Sequence, residues 1–318
     1  MNEGSTQSSI LSAPTVSIGL PVYNGEDFVE EAIDSILGQT YENLELIISD
    51  NASTDGTEAI CRRAVKRDQR VRYVRNQTNL GHSANFNRVF EQSRGKYFKW
   101  AAHDDVLKPE YVERCVDALE GSTDDLVLCF SETIIIDEHG REIDYTDNQG
   151  RSQKSLDLPM DEPHLRMRYL LKNMALCHPI TGVIRSEALR QTRLIDPFWG
   201  SDIVLLLELA LLGKFREIPE RLFLRRLHPG TSLWNKSPEE VAVWYDPDNR
   251  GKLVMQRTRN LMEQTRSVGR APLSGTERLQ CYAFLLRLSI WHRRQLAIEW
   301  WSALQRLADR SRASGPFP

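Results

Sequence analysis

Between residue 15 and about residue 120 the chain switches repeatedly between two hydrophobic periods, and this rhythm restricts its fold more than any other feature. Residues 15–20 form a short, nearly continuous apolar run closed by Pro21, and residues 44–49 form a second. Runs of this length, bounded by turn residues, read as strands buried on both faces. Between them Phe28, Val29, Ala32, Ile33, Ile36 and Leu37 recur at helical spacing. The pattern then repeats. A helix runs through Ile60, Cys61, Ala64 and Val65, then a strand over 71–75, and a helix carrying Ala84, Phe86, Val89 and Phe90. A strand over 96–102 follows, and Pro109 opens a helix with Val112, Cys115, Val116 and Leu119 on one face. Strands alternating with helices in this way predict an α/β fold, a mainly parallel sheet flanked by helices.

The second half is less regular. Residues 126–131, 133–137, 215–218 and 222–227 predict strands, 203–212 a buried helix, and about 277–310 a long helix, while 138–160 and 234–248 are polar and weakly patterned. The 318 residues suffice for about two domains or one large unit with an appendage. Five cysteines, scattered and without a CxxC pair, are expected as small buried hydrophobes in a reducing compartment. The first fourteen residues have neither a basic start nor an apolar run, so a polar tail is expected there, not a signal peptide. No stretch approaches the roughly 18 uninterrupted apolar residues of a membrane span. The expectation is a soluble, cytoplasmic protein.

In an open parallel sheet, ligands sit beyond the carboxyl ends of the strands. Three polar clusters fall there: residues 21–24 after the first strand, Asp50 and Asn51 after the second, and residues 103–105 after the fourth. Neighbouring residues of an extended segment point to opposite sides, so Asp104 and Asp105 can take different tasks. One carboxylate suits a hard divalent cation and the other a sugar hydroxyl, and magnesium needs few protein carboxylates when a substrate brings phosphates. Neither a GxxxxGK[ST] loop nor a GxGxxG turn is present, which argues against P-loop and nicotinamide chemistry.

Four blocks carry a family resemblance: VSIGLPVYNGEDFVEEAIDSILGQTYENLELIISDNASTDGT (16–57), NLGHSANFN (79–87), KYFKWAAHDD (96–105) and GSDIVLLLELALLGKFREIPERLFLRRLHPGTS (200–232). In this order, over roughly residues 15–232, they resemble the family 2 glycosyltransferases of the GT-A fold. The resemblance implies a Rossmann-like sheet with a C-terminal helical extension. It implies a catalytic unit over 15–232, with a nucleotide-sugar half at 15–120 and an acceptor half at 121–232. A tail (1–14) precedes it, and a linker with helices (233–318) follows. The implied reaction is inverting transfer from a nucleotide-diphosphate sugar to an acceptor hydroxyl, in surface polysaccharide or glycoconjugate synthesis. The acceptor is a glycan, a lipid-linked molecule or a small molecule, and a divalent metal, Mn2+ or Mg2+, assists.

By position, the resemblance implies that Pro21 and Tyr23 line a nucleobase pocket and that Asp50 accepts a hydrogen bond from the base. It makes Glu26 a second nucleotide-side contact, Asp104 the ribose-side acid, Asp105 the metal ligand, Asp202 the catalytic base and His228 a metal or diphosphate contact. Two departures stand out. Ser201-Asp202 offers one carboxylate where members often carry an acid pair, and the 79–87 block lacks a basic residue often found there, a place His82 would fill as a phosphate contact. Plainer roles are open to the same residues. Asp50 and Asp202 suit helix caps, the Asp104–Asp105 pair a solvated strand end, and His82 and His228 loop histidines.

Rival activities fit less well. A nucleotidyltransferase would show a basic, glycine-rich loop after the first strand, where residues 21–27 are acidic. A two-carboxylate glycoside hydrolase leaves Pro21, Tyr23 and Asp50 without purpose. A nucleotide-sugar-binding scaffold without turnover has no need of Asp104, Asp105 and Asp202 together. The net charge is −3, unevenly divided: residues 250–318 hold 13 Lys and Arg against 4 Asp and Glu, about +9, leaving residues 1–249 at about −12. Nucleic-acid binding is not expected, since the whole is acidic and no recognition motif accompanies the basic end. Tryptophans and arginines interleaved over 279–310 predict packing or homodimerisation, or else contact with the inner face of a membrane.

Overall fold

The elements follow the hydrophobic rhythm in a computed structural model that describes residues 14–145, 154–230 and 236–313. The first stretch holds β1 (Val16–Val22), α1 (Val29–Leu37), β2 (Leu44–Asp50), α2 (Thr57–Arg67), β3 (Val71–Arg75), α3 (His82–Glu91), β4 (Tyr97–Trp100), the short β5 (Val106–Leu107) and α4 (Tyr111–Glu120). There follow β6 (Leu126–Ile136), α5 (Pro163–Asn173), β7 (Val183–Arg185), α6 (Ser186–Arg190), α7 (Ser201–Leu212) and β8 (Lys214–Arg226). The remaining helices are α8 (Pro238–Tyr245), α9 (Gln256–Arg270), α10 (Gly275–Trp291) and α11 (Arg293–Ala313). Of the expected N-terminal tail, only residue 14 is described, and Thr231 and Ser232 of the fourth sequence block lie outside the described residues.

The sheet runs in the order β3-β2-β1-β4-β7-β6-β8-β5. β1 lies between β2 and β4 and is parallel to both. β2–β3 and β6–β8 are also parallel, and β7 inserts antiparallel between β4 and β6. The chain thus builds β1, β2 and β3 toward one side and then resumes with β4 on the other. Such a reversal opens a crevice beyond the carboxyl ends of the two central strands.

Both faces of the sheet are covered. Val16, Ile18, Leu20 and Val22 join a layer made with Ile33 of α1, Cys61 of α2 and Val112 of α4. Ile47, Phe98 and Trp100 belong to the opposite layer, with Val89 of α3, Leu170 of α5, Leu205 of α7 and Leu285 of α10. Burial from both sides is why β1, β2 and β4 are mainly apolar, with Glu45 and Lys99 as buried exceptions. α7 is apolar nearly all round and buried accordingly. The five cysteines are free, four of them buried. Among the described residues no helix is long and apolar enough to cross a membrane.

The structure corrects several of the expected boundaries. β6 and β8 are each one strand, not two: the register slips around Glu132, and the slip absorbs Pro219, which has no N–H to give the ladder. The long helix expected over 277–310 is two, α10 and α11, parted at His292. α8 forms inside the stretch 234–248, whose polar composition hides it.

Candidate active site

One wall of the crevice is a pair of interlocked turns. Beyond β1 the chain bends at Asn24, whose φ of 50° lies in the left-handed region that asparagine tolerates. Ser53 Oγ accepts from the Asn24 N–H (3.0 Å), Asn24 Oδ1 accepts from the Thr54 N–H (2.8 Å), and Thr57 Oγ1 accepts from the Gly25 N–H (2.9 Å). Asp55 Oδ2 accepts from the Glu26 N–H (3.1 Å), and Glu26 Oε2 in turn accepts from the Gly56 N–H (2.6 Å). Asp50, fully buried at the end of β2, holds the second turn from below. Its Oδ1 accepts from the Ser53 N–H (2.8 Å), and its Oδ2 accepts from the Tyr73 hydroxyl (2.7 Å) and Arg75 Nη1 (3.2 Å).

The second wall grows from β4. The Ala101 N–H donates to the Gly19 carbonyl (2.8 Å), keeping the chain beside β1 until residues 103–105 turn away. Gly25 lies against His103, and a Cβ there would stand 2.5 Å from the imidazole, so the two turns meet only because residue 25 is glycine. Asp104 Oδ2 lies 3.2 Å from His228 Nε2, and the His228 ring packs on Phe28 at 4.7 Å between centroids. Burial alone would raise the Asp104 pKa, but the His228 hydrogen bond and the nearby His103 outweigh it and hold the carboxyl below its ordinary value. Asp105 moves the other way, pushed up to about 7 by burial and by the charge of Asp104. Its Oδ1 accepts from the Arg226 N–H (3.0 Å).

Arg226 organises this corner from inside. Its Nε donates to the Asp104 carbonyl (2.9 Å), its Nη1 to the Asp137 carbonyl (3.2 Å) and its Nη2 to Glu31 Oε2 (2.6 Å). The guanidinium also lies 4.7 Å from the Phe28 ring centre. One buried side chain therefore joins α1, the end of β6 and the acidic turn after β4.

The third wall is polar below and aromatic above. Asn51 Nδ2 donates to Asn79 Oδ1 (2.8 Å), while its Oδ1 accepts from Asn76 Nδ2 (3.0 Å) and the Leu80 N–H (2.9 Å). His82 stacks on Trp244 of α8 with centroids 3.9 Å apart, and touches Phe86 (4.0 Å) and Tyr245 (5.3 Å). Burial pushes its pKa down to about 3, so the ring is neutral. The three walls enclose a cleft of about 1240 Å³ lined by Pro21, Tyr23, Asn51, His82, His103, Asp104, His228 and Trp244, among others.

Residues 17–193, more than half of the chain, match the profile of "Glycosyl transferase family 2". The chain belongs to glycosyl transferase family 2. An uncharacterized glycosyltransferase of Haemophilus influenzae is 31% identical over 236 residues, covering 73% of this chain and 72% of that protein. Among solved structures, S. aureus TarS 1–349 in complex with UDP-GlcNAc superposes with a TM-score of 0.63 at 16% identity, covering 91% of this chain and 79% of that 1–349 chain. The mannosyltransferase PcManGT of Pyrobaculum calidifontis, in complex with GDP-Man and Mn2+, gives 0.53 at 17% identity, covering 96% and 77%. These likenesses bear out the GT-A-like α/β fold.

In this family 2 glycosyltransferase, Pro21, Tyr23, His82, Asp104 and His228 come together on the cleft, whereas Glu26, Asp50, Asp105 and Asp202 are not part of its lining. Glu26 and Asp50 are engaged within the interlocked turns. Asp105 is turned to the Arg226 backbone, so Asp104, not Asp105, stands beside His228. Asp202 is the second residue of α7, close to Cys177 and Tyr245. Tyr245 thereby neighbours both Asp202 and the cleft-lining His82. Sequence reasoning missed Arg226, Phe28 and Trp244, because no local pattern marks an arginine in a strand or an aromatic after a turn as part of a site.

Proposed function

We propose that this chain transfers a sugar from a nucleotide-diphosphate sugar to an acceptor hydroxyl, with inversion, in the synthesis of a surface glycan or glycoconjugate. The observation that carries this reading is the meeting of Asp104 and His228 with Pro21 and Tyr23 on one cleft at the strand-order reversal. The nucleotide sugars bound by TarS and PcManGT support the donor class. In this reading Tyr23 packs on the base beside Pro21, while Asp50 and Glu26 fix the base-side turns. Asp104 faces the ribose and diphosphate. His82, neutral in its aromatic nest, offers the phosphates a hydrogen bond without a charge.

Among the described residues no three metal-ligating side chains form a ready cage. Asp104 and His228 nevertheless fit a divalent cation shared with substrate phosphates, since they supply oxygen and imidazole donors side by side. Mn2+ or Mg2+ bound there would supply positive charge against the leaving diphosphate. Asp202 takes the acceptor hydroxyl's proton as general base, which requires the acceptor to bind beside Tyr245.

Thermal-shift titrations with UDP, dTDP and GDP, each with and without Mn2+, test the reading. One nucleotide is expected to raise the melting temperature in a metal-dependent way, and Asp104→Asn to abolish the rise. Asp202→Asn should keep the rise and lose about 100-fold or more in turnover. No shift with any nucleotide at millimolar concentration overturns the proposal.

A further inference from the structure

We propose that the outer face of α10 and α11 binds an anionic membrane surface. The two helices pack inward through Cys281 and Leu285 of α10 and Ala303 of α11. Their opposite faces stay bare. In α10, Leu279, Leu286 and Ile290 share one stripe by helical spacing, and Leu286 is 63% exposed. In α11, Ile298, Trp301 and Leu304 do the same, with Ile298 at 67% and Trp301 at 64%. Trp291, where the helices meet, is 79% exposed. Large apolar side chains bare on two consecutive helices exceed the scattered hydrophobes of an ordinary surface.

Charge selects the occupant. Arg287, Arg293 and Arg294 are exposed beside these stripes, and among the described residues none of them pairs with a carboxylate. Residues 250–318 carry about +9, with 13 Lys and Arg against 4 Asp and Glu. A two-fold dimer sets a patch against its own copy, so a patch whose charges are arginines would meet another of the same sign. An anionic bilayer supplies the opposite charge, and it accepts leucine and isoleucine in its acyl boundary with tryptophan at the headgroup level. The remainder of the chain, at about −12, is repelled by the same surface, which orients the protein with these helices toward it. The inference does not depend on the donor or the reaction.

Flotation of the full chain with phosphatidylcholine vesicles, with and without 30 mol% phosphatidylglycerol, tests it. We expect at least tenfold stronger partition onto the anionic vesicles, a blue shift of tryptophan emission, and a large loss of binding at 0.5 M salt. Arg293→Glu/Arg294→Glu and Trp291→Ser/Trp301→Ser are each expected to lower partition about tenfold, with melting temperatures within a few degrees of the parent. Equal binding to both vesicle types, or none to either, overturns the proposal. Failure to bind, together with a concentration-dependent dimer that the double tryptophan variant dissociates, would assign the face to a second copy.

Discussion

Lys99 stands fully buried in β4, its Nζ donating to the Thr181 carbonyl and lying 4.6 Å from the centre of the Tyr111 ring. Burial pushes the ammonium from its ordinary 10.5 down to about 8. Below pH 8 the lysine is charged in both folded and unfolded chains, so the full penalty is present at neutrality. Between about 8 and 10.5 the folded protein has released a proton that the unfolded chain still holds, and stability rises with pH. Lys99→Met is therefore expected to melt higher than the parent at pH 7, by the equivalent of about 3 kcal/mol, the gap closing as pH rises through that window. The Tyr111 hydroxyl still donates to the Thr181 carbonyl (3.2 Å), so no acceptor is orphaned. A variant that melts lower at every pH would show that the lysine's contacts outweigh its desolvation. Residues of this kind mark the limit of what a sequence reveals. Tyr23 and Asp104 were legible because each lies just beyond the carboxyl end of a mainly apolar strand. Arg226 was not, since its partners Glu31, Asp104 and Asp137 lie about 90 to 195 positions away.

At the scale of elements, α8 depends on one turn. Gly81 has a φ of 84°, and a Cβ there would sit 2.7 Å from the Tyr245 carbonyl oxygen. Gly81→Ala is expected to cost about 1–2 kcal/mol in backbone strain and to lift α8 from α3. The checks are a lower melting temperature and faster proteolytic cleavage around residues 238–245. Acid should loosen the same contact. Burial holds His82 at about 3 against an ordinary 6.5, so an undocked histidine takes up its proton first, and docking weakens as pH falls through that interval. The alternation from β1 to α4 could be read because each element is one apolar run or one amphipathic face. β7 and α6 are too short to show a period. β8 looked like two strands because Pro219 breaks the pattern without breaking the strand.

For the whole molecule, the C-terminal helices divide into a part that builds the core and a part laid upon it. Val268, Cys281 and Leu285 belong to the layer that covers the sheet beside α5 and α7. α11 buries Ala303, and its Glu299 accepts from the Arg257 and Thr258 N–H groups (2.9 Å each), capping the start of α9. A chain ending after residue 292 is expected to fold with a melting temperature a few degrees lower, reflecting a lost cap of about 1 kcal/mol. One ending after residue 270 should lose its cooperative transition. Circular dichroism melts of the two truncations separate these outcomes, and equal melts would mean that α10 contributes nothing to the core. The interlocked turns at the other end of the chain carry a consequence for heredity. Because residues 24–26 and 53–57 exchange donors and acceptors atom for atom, a residue gained or lost in one loop alone would leave partners in the other unmet. A chimera that takes one loop from a relative is therefore expected to fold best when its mate comes from the same parent.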